Sequence, residues 1–159
     1  MPSPSPDAEV SHTIANYFCR MADTVGLPRS VALIYHALFV SKGPLSFGEI
    51  VEKAGLSKAS ASTGLKMLER MRGIERVIVS DDRRTFYRPE LSLRRLMVGF
   101  MRESLLPGME AGRRLLEEAE AQSAEKIGSH LAERLASLRR WHERSQAILP
   151  ALAALEEVG

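Results

Sequence analysis

The sequence predicts a mainly helical chain: a winged helix-turn-helix with a small β-hairpin wing, followed by long C-terminal dimerisation helices. Three observations carry that expectation. Two helical stretches are separated by only Gly55 and Leu56, a tightness that holds the pair at a steep angle. The β-branched run Ile74 to Val79 and the short run Thr85 to Arg88 flank the polar turn Asp81 to Arg84, and together they read as a hairpin. Leu131, Leu135, Leu138, His142, Ser145, Leu149 and Leu152 follow alternating steps of four and three, the pattern of a helix with a seam to bury.

Element by element, residues 1–9 are rich in Pro and Ser and are expected to form a disordered tail. A first helix should start near Ser11, with Ile14, Phe18, Met21 and Val25 on one face, and end at Gly26 and Pro28. A second runs from about Arg29 to Ser41, with Val31, Ile34, Ala37 and Leu38 inward, and stops at Gly43 and Pro44. The third is short: Ser46 and Glu49 have the spacing of a capping box, and Gly55 supplies a left-handed end. The fourth takes Ser57 as N-cap and reaches about Met71, with Gly73 beyond it. Residues 92–120 should form one helix bent at Pro107 and Gly108. Residues 124–149 form another, and Pro150 either bends it or opens a final short helix through Leu155. The boundaries that follow are 10–90 for the first helix with the winged helix-turn-helix, and 91–159 for the helical dimerisation region.

Bulk composition narrows the function classes. The 159 residues are 45% hydrophobic and 26% charged, normal for a chain that buries a core. One cysteine, Cys19, rules out an intrachain disulfide and suits a reducing compartment. The start MPSPSPDAE lacks the features of a signal peptide, and no apolar run approaches the roughly 20 residues a membrane span needs. A cytoplasmic protein with no membrane partner is expected. The net charge is only +2, but residues 57–90 hold eight cations against five carboxylates, an excess of three. A local positive surface is what a phosphate backbone requires.

The fourth helix is the informative one. At about 100° per residue, Ala61, Leu65 and Leu68 form an inward stripe, while Thr63, Lys66 and Arg70 lie opposite and Ser62 sits on the flank. Small residues admit a helix to a major groove about 12 Å wide, and hydroxyls and cations find phosphates and base edges there. Lys58 and Ser60 occupy the first turn, where free N–H groups also favour phosphate. On the wing, Arg83 and Arg84 are placed to reach a minor groove or flanking backbone, with Asp81 or Asp82 orienting one of them by pairing. The candidate DNA-binding residues are therefore Lys58, Ser60, Ser62, Thr63, Lys66, Arg70, Arg83 and Arg84. Taken singly, a charge such as Lys66 reads equally as a solvated face; the ordered combination of capped helix, tight turn, small-residue helix and Arg-tipped hairpin points to double-stranded DNA.

The stretch from Gly26 to Val77 resembles the GbsR-like branch of the MarR transcriptional regulators. The likeness rests on Gly26, Pro28 and Arg29, on Pro44-Leu45-Ser46, on Leu56-Ser57-Lys58-Ala59-Ser60-Ala61-Ser62, on Leu68, Gly73 and Arg76, and on an Asp82-Arg83-Arg84 wing tip. It covers about residues 26–90 well and the flanks loosely. It implies a homodimer on a pseudo-palindromic operator, often released by a small ligand. Ala59 and Ala61 depart from the Gly and Val common in related helices, so no operator sequence carries over, nor does a particular effector.

The C-terminal seam, with Trp141, Ile148 and Leu155 beside it, has two readings: packing on the chain's own helix 92–120, or a subunit interface shared with helix 11–22. Tyr17, Phe18, Phe100 and Trp141 are candidates for an effector pocket, since aromatic rings can cage a cation; equally, such rings serve as core and interface packing. No cofactor is implied. His12 and Cys19 are seven apart, which leaves open a metal or redox sensor, but zinc wants three or four clustered ligands. No phosphate loop, nucleophile elbow or carboxylate pair appears, so no enzymatic activity is expected. The alternative from another class is a winged-helix protein-interaction module that ignores duplex DNA.

Overall fold

A computed structural model describes residues 5–123 and 127–153. The chain divides into two compact units, Met1–Leu96 and Met97–Gly159.

In the first unit, α1 spans Pro6–Thr24 and starts five residues before the expected Ser11. Ser5 is the N-cap, its Oγ accepting from Ala8 N at 3.3 Å; Pro6 follows at the first helical position, and Asp7 and Glu9 stand in the first turn. Each favours a helix start. The expected tail over 1–9 is thus corrected for residues 6–9, because Ser-Pro-Asp is a helix entry as well as a low-complexity signal; residues 1–4 lie outside the described residues. Phe18, Cys19 and Ala22 are the buried residues of α1, which packs on α2 (Arg29–Phe39).

Helix α2 is the centre of the unit. Ile34 and Leu38 are 0% and 1% exposed, and α2 packs on α1, α3 (Phe47–Ala54), α4 (Lys58–Arg70) and β3 (Phe86–Pro89). Helix α3 (Phe47–Ala54) carries the capping box: Ser46 N donates to Glu49 Oε2 at 2.8 Å and Glu49 N to Ser46 Oγ at 3.5 Å. Gly55 ends it at φ +63°, a left-handed conformation that costs glycine nothing. Ser57 then caps α4 (Lys58–Arg70), accepting from Ser60 N at 3.1 Å.

The close approach of α4 to α2 depends on Gly64. A Cβ there would lie 2.6 Å from Cδ1 of the fully buried Ile34. Gly64→Ala should therefore destabilise the unit by about 1–3 kcal/mol through overpacking, read as a lowered urea midpoint with unchanged m.

The sheet has three antiparallel strands in the order β1 (Leu45–Ser46), β3 (Phe86–Pro89), β2 (Ile74–Val77). The register places Leu45 against Tyr87 and Val77 against Phe86. The hairpin falls where the sequence put it, but β2 stops two residues short of Val79. Strand β1 had no legible signal, since two residues cannot show an alternation.

Below the sheet, Tyr35 donates its hydroxyl to the Glu90 carbonyl. Burial, then the charge of Glu90, push the phenol up to about 12. The folded state holds this proton more tightly than the unfolded chain, whose tyrosine releases it near pH 10. The contribution is thus whole below pH 10 and is lost as pH rises from 10 to 12. Between pH 9 and 11.5 the wild type should lose about 1–2 kcal/mol more stability than Tyr35→Phe, which lacks the group; parallel curves for the two proteins in denaturant titrations would contradict this.

Helix α5 (Leu93–Phe100) is followed by one π-helical turn, Met101–Leu105, and then by α6 (Leu106–Ser123). The expected single helix over 92–120 is helical from Leu93 on, with this turn ending two residues before Pro107. A π turn absorbs the missing N–H of a proline and the clash of its ring with the carbonyl four residues earlier. Helix α7 runs Ser129–Ala153 and stays helical through position 150. The start expected at 124 and the contact expected of Leu155 lie outside the described residues. Arg139 of α7 pairs with Glu120 of α6, and His142 packs against Gly112, where a Cβ would come within 3.2 Å of its ring.

Candidate nucleic-acid interface

Helix α4 is positioned by its inward face: Ala61, Leu65 and Leu68 are 0%, 3% and 1% exposed, and Gly64 is buried with them. That seating turns Lys58, Ala59, Ser60, Thr63, Lys66 and Arg70 outward, all exposed, with Ser62 half-buried on the flank. Among the described residues, Lys58, Lys66 and Arg70 have no side-chain partner.

The neighbouring carboxylates are occupied. Arg76 of β2 grips Glu69 of α4 through Nε and, at 3.1 Å, through Nη2. Arg88 of β3 holds Glu75 of β2. On the wing, Asp82 takes Arg84 Nε at 3.0 Å and Nη2 at 2.7 Å, and also accepts from Arg84 N at 2.9 Å. These bonds hold the Asp82 carboxyl below its ordinary range, and Arg84's guanidinium is raised in turn. Arg84 also lies over the Phe86 ring, 5.0 Å from its centroid. The aspartate that orients an arginine is therefore Asp82, and the arginine is Arg84, folded back along the hairpin. Arg83 stays exposed without a partner among the described residues. So does Asp81, at φ +68° in the tip, where Asp82 N bonds Val79 O.

The ion pairs redistribute the charge that the sequence shows as a simple excess of three. Three arginines, at 76, 84 and 88, are spent on carboxylates. Among the described residues, the unneutralised cations lie on α4 and just after it, where Arg72 is also exposed, at φ +54°, with Arg83 apart on the wing. Arg72 was not singled out from the sequence; it follows the helix, and nothing in the periodicity marks it. An open groove of about 280 Å³ runs between the start of α2 and α4, lined by Pro28, Ser30, Val31, Ala59, Ser60, Thr63, Gly64 and Met67. It gives the face hydroxyls from two helices.

The four candidate effector aromatics are divided between the two units. Phe18 is buried in the first unit, edge-on to Tyr35 at 4.9 Å, to Phe39 at 5.3 Å and to Tyr17 at 5.5 Å, so that ring serves as core packing. Tyr17 is about half exposed. Phe100 and Trp141 belong to the second unit; Phe100 is buried and Trp141 is 61% exposed. Cys19 is buried while His12 is exposed and bonded to Asn16. Among the described residues no three metal-ligating side chains come together, and no helix is long and apolar enough to cross a membrane.

A buried helix α2, a tight α3–α4 turn, a solvent-facing second helix and a hairpin joined to a third strand define a winged-helix protein. A crystallised transcriptional regulator has the same fold: it is 20% identical, covers 95% of this chain with 98% of its own length, and superposes with a TM-score of 0.63. MepR, a regulator of the multidrug efflux pump MepA of Staphylococcus aureus, also matches, at 16% identity over 87% of this chain and 94% of its own, with a TM-score of 0.43. A MarR-family regulator from Neisseria meningitidis matches at 18% identity over 88% and 93%, with a TM-score of 0.38. Both of these superpose too loosely for their functions to bear on this chain. No family model and no curated protein matches the sequence.

Proposed function

We propose that this chain is a sequence-specific, double-stranded DNA-binding transcriptional regulator of MarR type, close to the GbsR-like branch. It acts in the cytoplasm as a homodimer, and as a repressor released by a small ligand. One observation carries the reading: α4 presents Lys58, Lys66 and Arg70 outward without partners among the described residues, while the adjacent Glu69 and Glu75 are each tied to an arginine. Unpaired cations among small and hydroxylic residues suit a major groove and its phosphate margins. A regulator of the same fold adds support.

The homodimer rests on exposed apolar residues. Helix α6 has no buried residue, and among the described side chains of α7 only His142 is buried. Leu131, Leu138, Trp141 and Ile148 are each at least half exposed. In the first unit Val10, Tyr17 and Met21 are exposed along one stripe of α1. A two-fold partner covering these would set two recognition helices about 34 Å apart, one DNA turn.

The test is a titration of the full chain against the DNA upstream of its own coding sequence and against a scrambled duplex, at 50 and 200 mM salt. Selective binding that weakens by about 10³-fold or more at the higher salt supports the reading; equal, salt-insensitive binding to both, or none, refutes it. Release by a ligand is checked by adding small-molecule pools to the preformed complex.

A further inference from the structure

Ile78 is the most exposed large hydrophobic residue of the described chain, at 97%. It lies one residue past the last paired residue of β2 and precedes the tip turn that Arg83 follows. The register breaks off at Val77, which faces Phe86, so Ile78 gains nothing from the sheet. An isolated exposed aliphatic residue is ordinary; this one tops a hairpin whose charges nearly cancel. Asp82 is bonded to Arg84, and Glu75 to Arg88, leaving Arg83 and Asp81 as an unpaired cation and anion. Such a tip has little net attraction for phosphate, and beside Arg83 and the exposed hydroxyls of Ser80 and Thr85 it offers the apolar surface of Ile78.

We propose that Ile78 is the apolar contact of the wing with duplex DNA, lying against the deoxyribose wall of the minor groove or wedging at a base step while Arg83 supplies the charge. The inference rests on the DNA-binding reading above and assigns the wing a mode of contact. A minor groove about 6 Å wide admits a thin hairpin edge, its walls are C–H surfaces of sugars, and aliphatic wedges at base steps are an established way to engage it. The exposed Arg83 on the same hairpin favours a polyanion over an apolar protein surface.

The experiment compares Ile78→Ala, Ile78→Leu and Arg83→Ala in the full chain, on a duplex selected by the wild type from a random-sequence pool, across 50 to 200 mM salt. All three should unfold at the wild-type temperature, because no buried atom is changed. Ile78→Ala should bind about tenfold more weakly at every salt concentration, giving a line parallel to the wild type, since no phosphate contact is lost. Ile78→Leu should restore most of the affinity. Arg83→Ala should instead flatten the salt dependence by about one phosphate contact. Ile78→Ala binding within twofold of the wild type overturns the proposal, as does a change in sedimentation that shows Ile78 holding two copies together. A wild type that selects no duplex removes the DNA reading itself and this inference with it, an outcome distinct from a wild type that binds and an alanine variant that binds equally well.

Discussion

Lys66→Ala with Arg70→Ala should cost the protein about 10²-fold in affinity for its DNA near 150 mM salt, and the slope of log affinity against log salt should fall by nearly two. Each counterion-releasing contact contributes about 0.9 to that slope. Both side chains are exposed and without partners among the described residues, so their removal costs no ion pair. Surface changes of this kind stay within about 0.5 kcal/mol of wild-type stability. The same double variant should therefore melt normally, which separates lost binding from lost fold. Arg76→Ala provides the contrast. Its guanidinium already holds Glu69, and an exposed pair contributes little stability, but its loss bares a carboxylate beside the recognition face. Binding should weaken by repulsion, about three- to tenfold, with a smaller change in salt slope than the double variant shows. If the double variant binds as tightly as wild type, the interface lies elsewhere.

What the sequence disclosed follows from the range of each interaction. The inward and outward faces of α4 were legible because a helix repeats every 3.6 residues, and Ala61, Leu65 and Leu68 mark one side unambiguously. The Ser46–Glu49 box and the Gly55 end were legible because their signals are local; a wing aspartate pairing with a wing arginine was legible for the same reason, but which aspartate and which arginine emerged only from the structure. The Glu69–Arg76 and Glu75–Arg88 pairs were not, because each joins two elements whose juxtaposition exists only in the fold. The same reason hid β1, a two-residue strand defined by its partner β3, and the groove that Ser30 of α2 shares with Ser60 and Thr63 of α4. The early start of α1 was different: Ser5, Pro6 and Asp7 carried the signal, and a compositional bias toward disorder masked it.

The second large effect concerns the helices beyond Leu96. In α6 nothing is buried, and among the described side chains of α7 His142 alone is. Its Nε2 has no hydrogen-bond partner among the described residues. Ion pairs such as Arg139–Glu120 and Arg113–Glu117 join partly exposed groups and contribute little stability. In proteins most helical stability comes from packing an apolar face rather than from intrinsic propensity. The exposed Leu131, Leu138, Trp141 and Ile148 supply that face, and a second copy is the partner proposed to cover it. Replacing Leu138 and Trp141 with Glu should then produce a monomer at micromolar concentration. Far-UV helicity should fall with the mass, because α6 and α7 lose the surface that orders them, while the first unit keeps its own core around Ile34 and Leu38. Operator affinity should drop by about 10²-fold or more, since the second half-site is no longer engaged from the same molecule, whereas affinity for an isolated half-site should hardly change. Sedimentation at the wild-type mass with full helicity would show that the leucine and tryptophan face plays no part in assembly, and the two-fold arrangement would have to be built on α1 alone.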